Sequence, residues 1–147
     1  MGNTVTLHRV FAAPAARVYQ AFLNPAALAK WLPPHGFVAE VHHLDAQVGG
    51  THHISFVNLS TGHKHSFGGT YLELKPNELI RYNDQFDDPT LAGQMQVSIV
   101  FNSVEMGTEI HISQTGIPDE IPVAACYLGW QESLQLLALL VTPTIPD

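Results

Sequence analysis

Residues 119–141, DEIPVAACYLGWQESLQLLALLV, are the stretch on which the fold turns. Tyr127, Trp130, Leu134, Leu137 and Val141 recur every three or four residues, the spacing of one face of an α-helix. Leu136, Leu139 and Leu140 widen that stripe until the last turns are apolar on most sides. Gln131, Glu132, Ser133 and Gln135 interrupt any run long enough to cross a bilayer. The segment therefore reads as a helix packed within a domain, with its apolar end a candidate homodimer contact. Such a helix needs a broad apolar surface to bury against.

The preceding residues supply that surface. From Phe37 to Thr115 the pattern has period 2, broken by turn signals at Val48-Gly49-Gly50, Ser60-Thr61-Gly62, Lys75-Pro76-Asn77, Asp87-Asp88-Pro89 and Glu105-Met106-Gly107. Six strands joined in succession by short turns predict an antiparallel meander. Upstream, Val5 to Phe11 alternates as a further strand. Residues 13–32, APAARVYQAFLNPAALAKWL, read as two short helices: Pro14 suits a first turn, Val18 and Phe22 share a face, and Asn24-Pro25 ends one helix and starts the next. The expected architecture is a single α+β domain over residues 1–147. A curved seven-stranded antiparallel sheet wraps around a long C-terminal helix, with two short helices between strands 1 and 2. Twist makes such a sheet curl, and the gap between its concave face and the covering helix is a natural seat for a small molecule.

Composition narrows the function. At 147 residues the chain is long enough for one substantial core without disulfides or metals. Its 13 acidic and 6 basic residues leave a formal charge of −7, which repels phosphate backbones and anionic headgroups and argues against nucleic acid or membrane partners. The N-terminus, MGNTVTLHRVF, has neither the basic nor the apolar region of a signal peptide, so a cytoplasmic location is expected. Gly2 and Thr6 fit a short acylation pattern, yet the segment reads as an ordinary first strand. The single cysteine, Cys126, has no basic neighbour in sequence to activate it as a nucleophile. No G-x-S-x-G, P-loop or G-x-G-x-x-G pattern occurs, so no cofactor is expected and the chain reads as a binding protein rather than an enzyme.

Histidines crowd the stretch HHLDAQVGGTHHISF, residues 42–56. Adjacent strand residues point to opposite faces, so the pairs His42-His43 and His52-His53 must each split. Pairing across Val48-Gly49-Gly50 sets Leu44 opposite His52 and His42 opposite Ile54; pairing across the next turn sets Phe56 opposite His65 and Ile54 opposite Phe67. The concave face then carries His42, Leu44, His52, Ile54, Phe56, His63, His65 and Phe67, joined from later strands by Tyr82, Asp84, Phe86, Val97 and Ile99. Neither His63 and His65 nor His42 and His52 acquire a third partner in this register, so no metal site is expected. With Trp31 and Trp130 from the helices, the candidate ligand-binding set is Trp31, His42, His52, Ile54, Phe56, His65, Phe67, Tyr82, Phe86, Val97, Ile99 and Trp130. A mainly apolar wall with a few polar points suits a flat hydrophobic or aromatic ligand.

The order and spacing of NPAALAKWLPPHGF, LDAQVGGTHHI, GGTYLELKPNELIRY, MGTEIHISQTGIPDE and GWQESLQLLALL resemble the single-domain relatives of the Hsp90 ATPase activator C-terminal domain. These lie within the Bet v 1-like or START-like helix-grip superfamily, SRPBCC. The resemblance implies the helix-grip fold. It also brings the superfamily's range of roles, which includes carriers of lipids and hormones and polyketide cyclases. A cyclase reading would use His52, His65 and Tyr82 as acids or bases; an interaction module would use the apolar helix end. Chaperone activation is not expected, because the eukaryotic co-chaperone engages Hsp90 through a separate N-terminal domain without counterpart in this sequence.

Overall fold

A computed structural model describes residues 3–146, so the Gly2 acylation pattern lies outside the described residues. The elements follow in the order β1 (Asn3–Phe11), α1 (Ala15–Leu23), α2 (Pro25–Trp31), β2 (Phe37–Leu44), β3 (Thr51–Asn58), β4 (Lys64–Lys75), β5 (Leu79–Phe86), β6 (Met95–Val104), β7 (Gly107–Ile117) and α3 (Val123–Val141). All seven strands form one antiparallel sheet in the order β1-β7-β6-β5-β4-β3-β2, the helix-grip arrangement. The strands β2 to β7 run as a meander, and the β1 strand returns to the far edge because α1 and α2 carry the chain across the concave face. No helix among the described residues is long and apolar enough to cross a membrane.

Proline chemistry decides how α1 meets α2. Pro25 has no N–H to give the Ala21 carbonyl four residues back, so α1 stops. Asn24 then caps α2, its Oδ1 accepting from Ala27 N at 3.0 Å. The orphaned Ala21 oxygen accepts instead from the Trp31 indole Nε1 at 2.8 Å. Trp31 is 0% exposed and packs edge-on against Phe22, ring centroids 4.7 Å apart. This indole therefore ties the two helices together in the core.

Two details of register depart from expectation. The pairing Leu44 with His52 is as read from sequence, but an irregularity between Val41 and His43 sets Val41, not His42, opposite Ile54. His42 is the extra residue of a bulge and sits on the outer face, its Nε2 2.7 Å from Ser55 Oγ and its ring 4.9 Å from that of His53. On α3 the buried positions are Ser133, Leu134, Leu137 and Val141, whereas Tyr127 is 39% exposed. The inward line runs through Cys126 and Trp130, and Tyr127 lies about 100° around the helix from Cys126. Leu128 and Leu139 stand exposed on the outer side of α3. The glycines in β4 reflect close strand approach: a Cβ at Gly69 would overlap the Asn83 carbonyl oxygen of β5.

Candidate functional site

The two halves of α3 face the sheet with different side chains. In the C-terminal half Leu134, Leu137 and Val141 fill the space against the sheet and α1. Arg17 Nη1 donates to the Val141 carbonyl at 2.9 Å and fixes that end. From the N-terminal end to the middle of α3 the inward positions are Ala125, Cys126, Gly129 and Ser133, all small, with Trp130 the one large side chain among them. Small residues on the helix beneath large curvature in the sheet leave a partly open cleft of ≈ 300 Å³. Phe56, Phe67, Tyr82, Phe86 and Val97 form its sheet wall, and Trp130 projects from the helix. Volumes of this size fall at the lower end of the range for small-molecule sites.

Polar groups enter the apolar wall at a few fixed points. Trp130 Nε1 donates to Gln114 Oε1 at 2.7 Å, and Cys126 Sγ reaches the same oxygen at 3.4 Å. Ser133 Oγ donates to the Leu32 carbonyl at 2.5 Å and anchors α3 to the end of α2. Burial pushes the Cys126 thiol up, so it offers no activated thiolate. His65, on the outer part of β4, stands at the cleft's exposed side.

At the inner end the sheet buries His52 and Asp84, 5% and 7% exposed. His52 Nε2 lies 3.6 Å from Asp84 Oδ1, and Asp84 Oδ1 also accepts from Gln85 N at 3.2 Å. His52 Nδ1 is buried without a hydrogen-bond partner. The rings of Tyr71 and Tyr82 flank His52 at 5.2 Å each. Asp84 borders both the cleft and a smaller void of ≈ 30 Å³ that also touches His52 and Ile54. Burial raises the Asp84 carboxyl above its ordinary range, and the His52 contact partly opposes that rise. Burial and the nearby Asp84 charge likewise raise the Tyr82 hydroxyl.

A raised carboxyl has a testable sign. The folded protein holds the Asp84 proton more tightly than the unfolded chain does, so stability declines as pH rises from the ordinary Asp value of 3.8 through the higher folded value. Asp84→Asn removes that decline. The variant should exceed the parent in stability at neutral pH by more than the ~0.5 kcal/mol typical of surface changes, with the advantage vanishing in acid. Urea unfolding at a series of pH values measures it, and a stability difference independent of pH would refute the assignment.

Of the residues expected in the site, Phe56, His65, Phe67, Tyr82, Phe86, Val97 and Trp130 do line the cleft. Five lie elsewhere. Trp31 and Ile99 are sealed in the core, both 0% exposed; His42 is outside the sheet; His52 and Ile54 face the smaller void. The sequence reading missed the small residues of α3, although the spacing Ala125, Gly129, Ser133 at every fourth residue marks one helical face. It also missed a cluster on the opposite side of the sheet, where His8, Glu109 and His111 converge. The signal there was the i, i+2 spacing of Glu109 and His111, but His8 joins them only through the pairing of the first strand with the last.

A family model described as activator of Hsp90 ATPase homolog 1-like protein matches residues 12–142. No curated protein matches the chain. Among solved structures, a protein of Chromobacterium violaceum is 55% identical, with 97% of this chain and 99% of that one covered and a TM-score of 0.96. A protein of Rhodobacter sphaeroides, 20% identical over 93% of this chain and 90% of its own, has a TM-score of 0.81. One from Arthrobacter aurescens, 18% identical over 94% and 85%, reaches 0.83. At these lower identities the likeness is one of fold alone.

Proposed function

We propose, from the premise that this chain belongs to the family of activator of Hsp90 ATPase homolog 1-like proteins, that it binds a small, largely apolar molecule in the cleft beneath the N-terminal half of α3. The observation that carries the reading is the run of small inward residues, Ala125, Cys126, Gly129 and Ser133, facing aromatic side chains of the sheet. A helix serving only to close the core would place large side chains there, as Leu134 and Leu137 do one turn further on. The aromatic wall favours a flat ligand, and Asp84 at the inner end favours one carrying a hydroxyl or other hydrogen-bonding group directed inward.

Cyclase-like chemistry in the same cleft is the second reading, and the buried Asp84 beside Tyr82 favours it. In that version Asp84 replaces His52 as the candidate acid or base, because His52 does not reach the cleft.

The two tryptophans test the binding reading within one spectrum. Trp130 lines the cleft while the Trp31 indole is sealed against Ala21. Titration with fatty acids, flavonoid-like aromatics and polyketide fragments should move the Trp130 indole N–H saturably for one chemical class and leave Trp31 in place. An unmoved Trp130 across all three classes would remove the reading.

A further inference from the structure

The outer face of the sheet, remote from the cleft, carries a second arrangement of donor atoms. His8 on β1 lies directly opposite His111 on β7, and Glu109 is two residues from His111 on the same face. His8 Nε2 is 2.9 Å from Glu109 Oε2, and His111 Nε2 is 3.2 Å from Glu109 Oε1. The two imidazoles are 4.7 Å apart between centroids and tilted by 39°. One donor atom from each residue lies within 4.8 Å of both others, the only such trio among the described residues.

We propose that His8, Glu109 and His111 bind one divalent first-row transition-metal ion, with zinc the best match. Two imidazoles and one carboxylate form a donor set that zinc accepts, leaving a fourth position open to solvent. Donor atoms around a tetrahedral zinc sit roughly 3.3 Å apart, given bonds of about 2.0–2.1 Å. Both Nε2 atoms already converge on one carboxylate, so small rotations of exposed side chains bring all three onto an ion.

Two surrounding features favour the cation. Asn102 Nδ2 donates to Glu109 Oε1 at 3.4 Å and orients it, the outer support that metal-binding carboxylates commonly have. The chain's formal charge of −7 attracts cations generally. Because His8 is on the edge strand and the other two ligands are on its neighbour, the ion would clamp β1 to β7. The site would thus join the sheet's first strand to its last.

The test is zinc titration of the tag-free chain, stripped with chelator, followed by calorimetry and by the histidine ring signals in NMR. The expected result is one equivalent bound, with the His8 and His111 rings shifting together. His8→Ala and His111→Gln should each weaken binding by at least ~10-fold, in keeping with the loss of one ligand among three. Zinc should raise the Tm of the parent but not that of His8→Ala. All three ligands are at the surface, and amide spectra of the variants verify their fold. His53→Ala, which disrupts the separate outer-face group of His42, His43 and His53, should leave zinc affinity unchanged. Absence of saturable binding, unchanged affinity in His8→Ala and His111→Gln, or loss of binding in His53→Ala would each overturn the proposal.

Discussion

Trp31→Ala is expected to destabilise the folded state by about 3–5 kcal/mol, the range for removal of a large buried aromatic. Against a typical total of ~5–15 kcal/mol this is enough to leave the protein marginal. Two losses combine in the variant. The first is a cavity beside Phe22 at a position 0% exposed. The second is the donor to the Ala21 carbonyl, which Pro25 cannot supply. Trp31→Phe separates them: it retains much of the packing and forfeits the hydrogen bond, and should cost about 1–3 kcal/mol. Urea midpoints of the two variants provide the comparison. A cost for Trp31→Ala below ~1 kcal/mol would mean that the indole is not the tie between α1 and α2.

Gly129→Leu is expected to separate binding from stability in opposite directions. Gly129 lies inside α3, lines the cleft, and a Cβ placed there meets nothing within 4 Å. Replacing a glycine within a helix by leucine favours the helix by about 0.8 kcal/mol or somewhat less. The same side chain projects into the cleft opposite Phe67 and Tyr82, filling the space a ligand would use. The affinity for any molecule that moves the Trp130 signal should fall by at least ~10-fold, roughly 1.4 kcal/mol, while thermal stability holds or rises. Most cavity-lining variants lose stability and binding together, so this pair of signs is diagnostic. Undiminished affinity in a stable Gly129→Leu protein would place the ligand elsewhere.

Much of the architecture was legible before any coordinates. Period 2 between Phe37 and Thr115, the glycine and asparagine turns, and the long apolar segment ending at Val141 led directly to the sheet and helix found. The turn at Asn77 illustrates why: its φ of 66° is a left-handed conformation that asparagine tolerates better than most residues. Cross-strand pairs such as Phe56 with His65 and Ile54 with Phe67 followed from counting outward from the turns. Counting failed at His42, because one bulge reverses the face of the residue it inserts.

The candidate site was less legible. Trp31 and Trp130 look equally suited to a ligand wall in sequence, yet one is held by a helix carbonyl in the core and the other by Gln114 beside the cleft. Reading α3 for its large apolar residues identified what fills the interior but overlooked the small ones that leave it unfilled. His8 and His111 are separated by most of the chain and meet only because the sheet pairs its first strand with its last. Local periodicity and turn chemistry therefore determined the elements, their order and most neighbouring registers, since these depend on interactions among residues close in sequence. Tertiary structure alone decided where space remains, which polar groups are buried together and which distant side chains converge, because each depends on how closely separate surfaces pack.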